Sequence, residues 1–343
     1  MNEIEILKDL VKFDTIKDKE NKEILDYIQN YFENLGFKIE KREKYLIMSY
    51  GENCNIGFIG HSDTVEFIDG WKTNPHELTQ IGDMLYGLGS CDMKGGIAAF
   101  MQAVSEINLK ELKKGIKVYI TYDEEIGFGG INELVYIKEK MPKYLIIGEP
   151  TDNKIMTGCK GLFAVKIFTK GIKVHSSTPH RGKSANTSMI RLLAELEDFY
   201  NENIKNNLDK KYEVPYTTMN IGLLNGGSAI NSVAAECMSY VDFRIIDNEH
   251  IEILKGKLQE LCIKYDANFF IDVEVKSFYN DIEFLDETYT AGFMTEASFV
   301  EGDRMIIGPG PMTAHEVDEH VSISSLRGTV EIYKTLINQV CKE

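Results

Sequence analysis

The sequence has no apolar run that approaches the roughly 18 residues needed to cross a bilayer. Near the N-terminus, charged residues separate Ile4, Leu7, Val11 and Ile16, so the continuous apolar core of a signal peptide is missing. Basic residues are in the minority, with 38 Lys and Arg against 54 Asp and Glu. The resulting net charge of −16 argues against a nucleic-acid partner, and the lack of apolar runs argues against a membrane partner.

Cysteine is also sparse, and the six cysteines are scattered without short pairings. In a chain of this size, that spacing predicts reduced thiols in a reducing compartment and not a disulfide framework. We therefore expect a cytoplasmic protein. The composition, 43% hydrophobic and 27% charged, is typical of a soluble globular protein, and 343 residues are enough for two domains.

Short apolar runs and helical patterns alternate in the first part of the chain. The spacing of Leu25, Ile28 and Phe32 predicts a helix up to residue 35, with Gly36 as its C-cap. A further helix is expected over 95–107. Four short runs rich in Ile, Val or Tyr are predicted to be buried strands: 45–48, 56–59, 116–122 and 144–147. Such an alternation predicts an α/β fold, a mixed sheet sandwiched by helices.

A different order begins near Cys159. Residues 159–275 are predicted to contain strands and helices in the order β-α-β-β-α-β, which forms a complete ferredoxin-like α+β unit. We interpret this region as a domain inserted into the first one, which then comprises residues 1–158 and 276–343. A strand near 305–307 and a helix over 324–341 complete the first domain.

Acidic residues and histidines follow the predicted strands or occupy glycine-rich turns. They are His61 with Asp63, Asp92, the pair Glu124 and Glu125, Glu149, and His315. In α/β sheets, ligands bind beyond the carboxyl ends of the strands, so these side chains are expected to converge on one site. Each motif alone is weak, because a His-x-Asp turn or a Glu-Glu pair is usually an exposed surface feature. Their joint occurrence at strand ends is the signal.

Two histidines and three carboxylates form a normal ligand set for two Zn²⁺ ions, with one carboxylate bridging them. Two such metals can polarise a carbonyl and lower the pKa of a shared water to about 7. A further carboxylate must then move a proton. Glu124 and Glu125 can divide these tasks, because adjacent side chains point in different directions. Asp63 could fix the tautomer of His61 by accepting its second ring N–H.

With these residues, the chain resembles the co-catalytic zinc aminoacylase family, which includes acetylornithine deacetylase, succinyl-diaminopimelate desuccinylase and glutamate carboxypeptidase. The resemblance covers nearly the whole chain. It rests on six motifs in the family's order: GHSDTV (60–65), YGLGSCDMKGG (86–96), DEEIG (123–127), IGEPT (147–151), VHSSTPHRGKSAN (174–186) and GPGPMTAHEVDEHV (308–321).

The resemblance implies a zinc-peptidase-like first domain and a lid or dimerisation role for the inserted one. It further implies a role for each candidate residue. The implied metal ligands are Asp92, which bridges the two metals, His61 and Glu149 at one metal, and Glu125 and His315 at the other. The implied general acid/base is Glu124, with Asp63 behind His61. The histidine that polarises the substrate carbonyl is His175, which in this family is often supplied by the other subunit of a homodimer, and the substrate-binding residues are Asn231 and Arg244. Co²⁺ is expected to substitute for Zn²⁺.

The expected activity is removal of an acyl group from a small N-acylated amino acid. The motifs DMKGG, IGEPT and AHEVDE are most similar to the acetylornithine deacetylase branch, which acts in arginine biosynthesis, and a close relative acting on N-acetyl-lysine is also considered. Succinyl-diaminopimelate desuccinylase and a metallo-dipeptidase or carboxypeptidase are the alternatives. A non-catalytic binding protein with this fold would be expected to lose ligands or the base, whereas all six positions here carry competent residues.

Overall fold

A computed structural model describes residues 1–16, 19 and 21–342. The described chain separates into two compact units. The first contains Met1–Gly158, Asn280–Tyr289 and the chain from Thr295 onwards, and the second contains Cys159–Tyr279 and Thr290–Met294. Among the described residues, no helix is long and apolar enough to cross a membrane.

The helices and strands are numbered in chain order. The helices are α1 Glu3–Val11, α2 Lys22–Asn34, α3 Lys94–Glu106, α4 Glu124–Gly127, α5 Gly129–Tyr136, α6 Ala185–Asn203, α7 Glu249–Tyr265 and α8 Ile323–Cys341. The strands are β1 Lys38–Lys41, β2 Tyr45–Tyr50, β3 Ile56–His61, β4 Thr79–Ile81, β5 Met84–Tyr86, β6 Ile116–Thr121, β7 Tyr144–Ile147, β8 Met156–Cys159, β9 Gly161–Lys170, β10 Thr218–Gly226, β11 Glu236–Ile245, β12 Ala267–Val275, β13 Phe278–Tyr279, β14 Tyr289–Ala291, β15 Asp303–Ile306 and β16 His320–Ser322.

The main sheet of the first unit is mixed, in the order β1-β2-β6-β3-β7-β15-β8. Its four central strands, β6, β3, β7 and β15, run parallel to one another. Phe58 and Ile59 are neighbours on β3 and therefore point to opposite faces, yet both are fully buried. Both faces of this sheet are thus covered, as expected for an α/β fold, and the predicted fold class is confirmed.

One face of this sheet packs against α3 and α8. The ring of Phe58 stacks on that of Phe100 in α3 at 4.2 Å, and Tyr333 in α8 meets both rings edge-on. Burial of these three aromatic side chains stabilises the layer, since each removes roughly 150–250 Å² from water. The helices thereby hold the central strands, whose carboxyl ends bear the candidate site.

Helix α1 was not predicted, because charged residues interrupt its sequence. The structure shows that Ile6, Leu7 and Leu10 are fully buried on one side of the helix, together with the largely buried Glu3, while the other charged residues lie outside this side. Its start is fixed by a capping box, in which the Asn2 side chain accepts the N–H of Glu5 and the Glu5 carboxylate accepts the N–H of Asn2. Local capping and burial of the apolar side therefore stabilise the helix despite its charged residues.

The second unit contains the predicted β-α-β-β-α-β order. Its sheet runs β10-β11-β9-β12 with every pair antiparallel, which is the ferredoxin-like arrangement. Along β11, Val241, Phe243 and Ile245 alternate with partly exposed residues and are buried in a core shared with α6 and α7. The unit thus has its own hydrophobic core.

Candidate metal centre

Three neighbouring parallel strands end at the same edge of the first unit's sheet, and each leads into a predicted site residue. Strand β3 ends at His61, β6 is followed by Glu124 and Glu125, and β7 by Glu149. The register pairs His61 with Thr121, the last residue of β6. Because the carboxyl ends of parallel strands lie side by side, the four site residues converge without any long-range distortion of the chain.

Asp92 and His315 are brought in by loops. Asp92 lies two residues before α3, and that helix approaches β7 so closely that a Cβ atom on Gly96 would lie 2.0 Å from the Gly148 carbonyl oxygen. Glycine is therefore required where α3 meets the strand end that leads to Glu149. His315 has a left-handed backbone with φ 63°, uncommon outside glycine, so its loop must be held in place by its surroundings.

The carboxylate of Asp92 lies between two histidines. Its Oδ1 is 3.2 Å from His61 Nε2, and its Oδ2 is 3.3 Å from His315 Nε2. His61 Nε2 is also 3.7 Å from Glu149 Oε1, and His315 Nε2 is 3.2 Å from Glu125 Oε1. Two groups of three candidate ligands share Asp92, and within each the ligand atoms lie within 4.8 Å of one another. A third group that meets the same distance consists of His61, Glu124 and Glu125.

The two groups differ in exposure. The His61 side chain is 1% exposed and that of Glu149 is 7% exposed, whereas the His315 side chain is 54% exposed. One group is therefore enclosed by the protein and the other opens towards solvent. Such a difference lets a substrate approach the cluster from the His315 side.

The charges of the cluster perturb one another. Burial and the repulsion from nearby carboxylates raise the pKa values of Glu124 and Glu149 well above the usual range. Burial alone would raise the pKa of Asp92 as well, but hydrogen bonds with His315 and His61 lower it. Hydrogen bonds to Asp92 and Glu125 raise the pKa of His315 to about 10. The carboxylates thus strongly favour positive charge between them.

The side chains fit a pair of divalent cations. The cluster offers two imidazole nitrogens and three carboxylates, a donor set suited to Zn²⁺ and other first-row metals. Within the described part of the chain, no lysine or arginine forms an ion pair with Asp92, Glu125 or Glu149. Buried carboxylates need such compensation, and a metal ion in each three-residue group would supply it.

Asp63 lies beside the ring of His61, and both its main chain and its carboxylate are near the ring. The main-chain carbonyl oxygen of Asp63 is 3.1 Å from His61 Nδ1, whereas its carboxylate Oδ1 is 3.6 Å away. The carbonyl is therefore the acceptor that orients the ring. The carboxylate Oδ2 instead accepts the backbone N–H of Glu125 at 3.1 Å, so Asp63 contacts both candidate ligand segments.

The remaining three candidates, His175, Asn231 and Arg244, belong to the second unit, where the structure brings two of them together. His175 pairs with Ser232, and Ser176 N–H donates to the carbonyl of Asn231 at 3.0 Å. Arg244 lies near the end of β11 that is far from this pair, and its Nε is 3.2 Å from Asp242 Oδ1. Glu236 and Arg244 are eight positions apart on β11, which corresponds to roughly 26 Å of strand.

Two buried carboxylates near the site were not singled out from the sequence. Glu319, 1% exposed, accepts hydrogen bonds from the backbone around Asp92. Glu296, also 1% exposed, accepts a hydrogen bond from Thr121 Oγ1 at 2.5 Å, and burial raises its pKa to about 7. The motif that contains His315 also contains Glu319, but nothing in the sequence assigns it a partner.

Comparisons with known proteins agree with this geometry. Residues 57–339 match the model of peptidase family M20/M25/M40, and the chain belongs to this family. The resemblance predicted from the motifs is therefore confirmed, and the protein is a metal-dependent hydrolase of amide bonds. Acetylornithine deacetylases of Buchnera aphidicola subsp. Acyrthosiphon pisum and subsp. Schizaphis graminum are 30% and 32% identical, with 98% of each chain covered.

Solved structures share the fold. Aminopeptidase PepT from Bacillus cereus superposes with a TM-score of 0.81 at 20% identity, covering 99% of this chain and 98% of that one. A dinuclear metal-binding peptidase of family M20 from Bacillus subtilis has a TM-score of 0.73 at 12% identity, covering 98% and 97%. At these identities the likeness concerns the fold alone.

Proposed function

We propose that this chain is a di-zinc amidohydrolase that removes the acetyl group from Nα-acetyl-ornithine. The observation that carries the chemistry is the position of Asp92, whose two oxygens face His61 and His315. The substrate assignment is supported by the acetylornithine deacetylases that match over 98% of the chain. Such a substrate would place the enzyme in arginine biosynthesis, in the cytoplasm.

In this proposal His61 and Glu149 would hold one metal ion, Glu125 and His315 would hold the other, and Asp92 would serve both. The ions, Zn²⁺ or a substituting Co²⁺, would polarise the amide carbonyl and lower the pKa of a water between them. The short distances between the donor atoms support this assignment. The enclosed group suits a permanently bound ion, and the exposed group faces the incoming substrate.

Glu124 is proposed to move the proton. It lies one residue from the ligand Glu125, at the first position of the short helix α4. Burial and nearby carboxylates raise its pKa in the metal-free protein, and cations beside it would favour the carboxylate form that acts as a base. A carboxyl group with a raised pKa can take a proton from the attacking water and deliver it to the leaving amine. The products are then a carboxylate and a free amino group.

His175 is proposed to polarise the substrate carbonyl. Its Nδ1 accepts the backbone N–H of Ser177 at 3.2 Å and lies 2.8 Å from the Ser177 hydroxyl. In the neutral imidazole, an accepting Nδ1 leaves the proton on Nε2, which is then a donor for a developing oxyanion. Asn231, next to His175, is proposed to assist in substrate binding.

Arg244 is proposed to bind the substrate carboxylate, for which a guanidinium group is well suited. Its ion pair with Asp242 is partly exposed and so remains accessible to an exchanging anion. The length of β11 separates Arg244 from His175 within one chain. A substrate of ordinary size can therefore contact both only if a second chain supplies one of them, which supports a homodimer.

The test is turnover by the Zn²⁺- or Co²⁺-loaded protein on a panel of amides. The panel contains Nα-acetyl-ornithine, Nα- and Nε-acetyl-lysine, N-succinyl-diaminopimelate and several dipeptides. A clear preference for acetyl-ornithine supports the proposal. Preference for succinyl-diaminopimelate or dipeptides would retain the hydrolase and overturn the substrate, and absence of turnover together with absence of bound metal would overturn the proposed chemistry.

A further inference from the structure

Glu319 is a fully enclosed carboxylate that holds the loop leading to Asp92. Its Oε1 accepts the backbone N–H groups of Cys91 at 2.8 Å and Asp92 at 2.9 Å, and its Oε2 accepts that of Gly89 at 2.8 Å. All three donors are backbone groups that no neighbouring strand or helix pairs. The carboxylate therefore satisfies polar groups that would otherwise be buried without partners.

The main chain of Glu319 contacts the same loop. Its carbonyl oxygen accepts the N–H of Gly87 at 3.0 Å and the hydroxyl of Ser90 at 3.4 Å. This position follows from strand pairing, since β16 and β5 are antiparallel with His320 opposite Tyr86. Glu319, which precedes β16, must then lie beside Gly87, which follows β5. Five hydrogen bonds thus join Glu319 to residues 87–92.

Glu319 also lies four residues after His315, in a segment whose two ends, Thr313 and His320, are connected by hydrogen bonds. The N–H of His320 donates to Thr313 Oγ1 at 3.0 Å, and that hydroxyl donates to the His320 carbonyl at 2.7 Å. Thr313 is tied to the other loop as well, because its N–H donates to Cys91 Sγ at 3.4 Å. Hydrogen bonds therefore connect the segment that presents Asp92 to the segment that presents His315, and Glu319 lies between them.

We infer that Glu319 is a positioning residue that fixes the orientation of Asp92 relative to His315 and thereby the spacing of the two metal ions. The inference rests on the proposed function of the site. Because Asp92 faces both three-residue groups, misplacing it weakens both metal sites together. A residue that supports a ligand of one group alone would weaken only one of them.

The test compares metal binding by Glu319→Gln and Glu319→Asp with the wild type. Glutamine has the same size but exchanges one accepting oxygen for an NH₂ group, which confronts a backbone N–H. Aspartate keeps the charge, but its side chain is one CH₂ too short to reach all three donors. The control is Glu3→Gln, since Glu3 is a largely buried carboxylate whose ion pair is with Arg327.

Metal-free proteins are titrated with Co²⁺ by calorimetry and visible absorption, and thermal unfolding is followed without metal. We expect both binding steps to weaken about 10–100-fold in the Glu319 variants, with an altered cobalt spectrum, and Glu3→Gln to bind like the wild type. If Glu319→Gln does not fold, the aspartate variant supplies the comparison.

Wild-type cobalt affinity and spectrum in a folded Glu319 variant would overturn the inference, even if that variant unfolds at a lower temperature. Weakening of only one binding step would also contradict it. The proposed function fails separately, if the wild type binds two Co²⁺ ions but hydrolyses no acylated amino acid. Wild-type protein that binds no divalent metal would overturn both.

Discussion

The carboxylate of Asp63 accepts the backbone N–H of Glu125 at 3.1 Å. Asp63 also contacts the ring of His61 through its main-chain carbonyl, so a single residue supports candidate ligands from both three-residue groups. Strand β3 delivers Asp63 and strand β6 delivers Glu125, and the hydrogen bond joins their ends. The hydrogen bond between Asp63 and Glu125 thus connects the ends of β3 and β6, which carry the candidate metal ligands His61 and Glu125.

We predict that Asp63→Asn weakens metal binding by about 10–100-fold without preventing folding. The amide can still accept the N–H of Glu125, but the substitution removes a negative charge from beside His61 and so weakens the electrostatic attraction for the cations that His61 would hold. Cobalt titration of the metal-free variant measures the effect. Asp123→Asn is the control, since Asp123 lies near the same site but pairs with Lys44. Equal weakening in both variants would show that only the general charge matters.

Glu124→Gln is expected to retain two metal ions and lose turnover by about 10²–10⁴-fold. Glutamine keeps the size of the side chain but cannot take up the proton of the attacking water. Metal content and the rate on the best substrate of the panel are the two measurements. Wild-type-like turnover by a metal-loaded Glu124→Gln protein would contradict the assignment of Glu124 as the acid/base.

Metal removal should lower both activity and stability. Without cations, the carboxylates of Asp92, Glu124, Glu125 and Glu149 are left facing one another, and the metal no longer favours the folded state. A ligand at 1,000 times its dissociation constant stabilises a protein by about 4 kcal/mol, so a clear decrease in melting temperature is expected after chelation. Adding Zn²⁺ or Co²⁺ should restore both properties, while Mg²⁺ serves as a control with different ligand preferences. An unchanged melting temperature would argue against bound metal.

The strands that carry the site are predictable because burial on both faces makes them short apolar runs. The predicted strand 144–147 coincides with β7, and 56–59 identifies β3 but stops short of its final Gly60 and His61. Glycine and histidine do not fit a strand pattern, yet they continue the pairing with β6. Local patterns therefore identify where the site lies more reliably than where each strand ends.

The supporting carboxylates are a different case. Glu319 acts on Cys91, 228 residues earlier in the chain, and Glu296 accepts from Thr121, 175 residues earlier. No local periodicity encodes such contacts, because they depend on how the loops are folded over the sheet. An acidic residue in a loop is most often exposed, so composition points away from burial. The motif around His315 contains Glu319 but does not indicate that its side chain binds backbone N–H groups.

The second unit should lose stability in mild acid through His250. This histidine is buried, with Nδ1 2.8 Å from Thr217 Oγ1 and Nε2 3.2 Å from Asn207 Nδ2. The amide of Asn207 donates to Nε2, which requires a neutral ring, and burial lowers the pKa of His250 below 6.5. Because the pKa of His250 is lower in the folded state than in the unfolded state, the neutral ring contributes fully to the free energy of unfolding above about pH 6.5. This contribution of His250 is lost as the pH falls further.

Urea unfolding of the wild type and His250→Gln at pH 7.5 and pH 5 measures this contribution. Glutamine can hydrogen-bond within the same space but does not titrate in this range. The wild type should lose more free energy of unfolding between the two pH values than the variant does. A wild-type loss no greater than that of His250→Gln would contradict the assignment of the effect to this side chain.

His175→Ala is expected to lower kcat by about 10²–10³-fold, the usual cost of removing one oxyanion donor, while metal content stays unchanged. Mixing it with Glu124→Gln then tests which chain supplies the histidine. If His175 acts on the partner's site, a mixed dimer combines an intact Glu124 from one chain with an intact His175 from the other, and activity returns after subunit exchange. If His175 acts within its own chain, neither chain of the mixed dimer is complete, and the mixture stays as inactive as its components. Wild-type kcat in His175→Ala would exclude both arrangements.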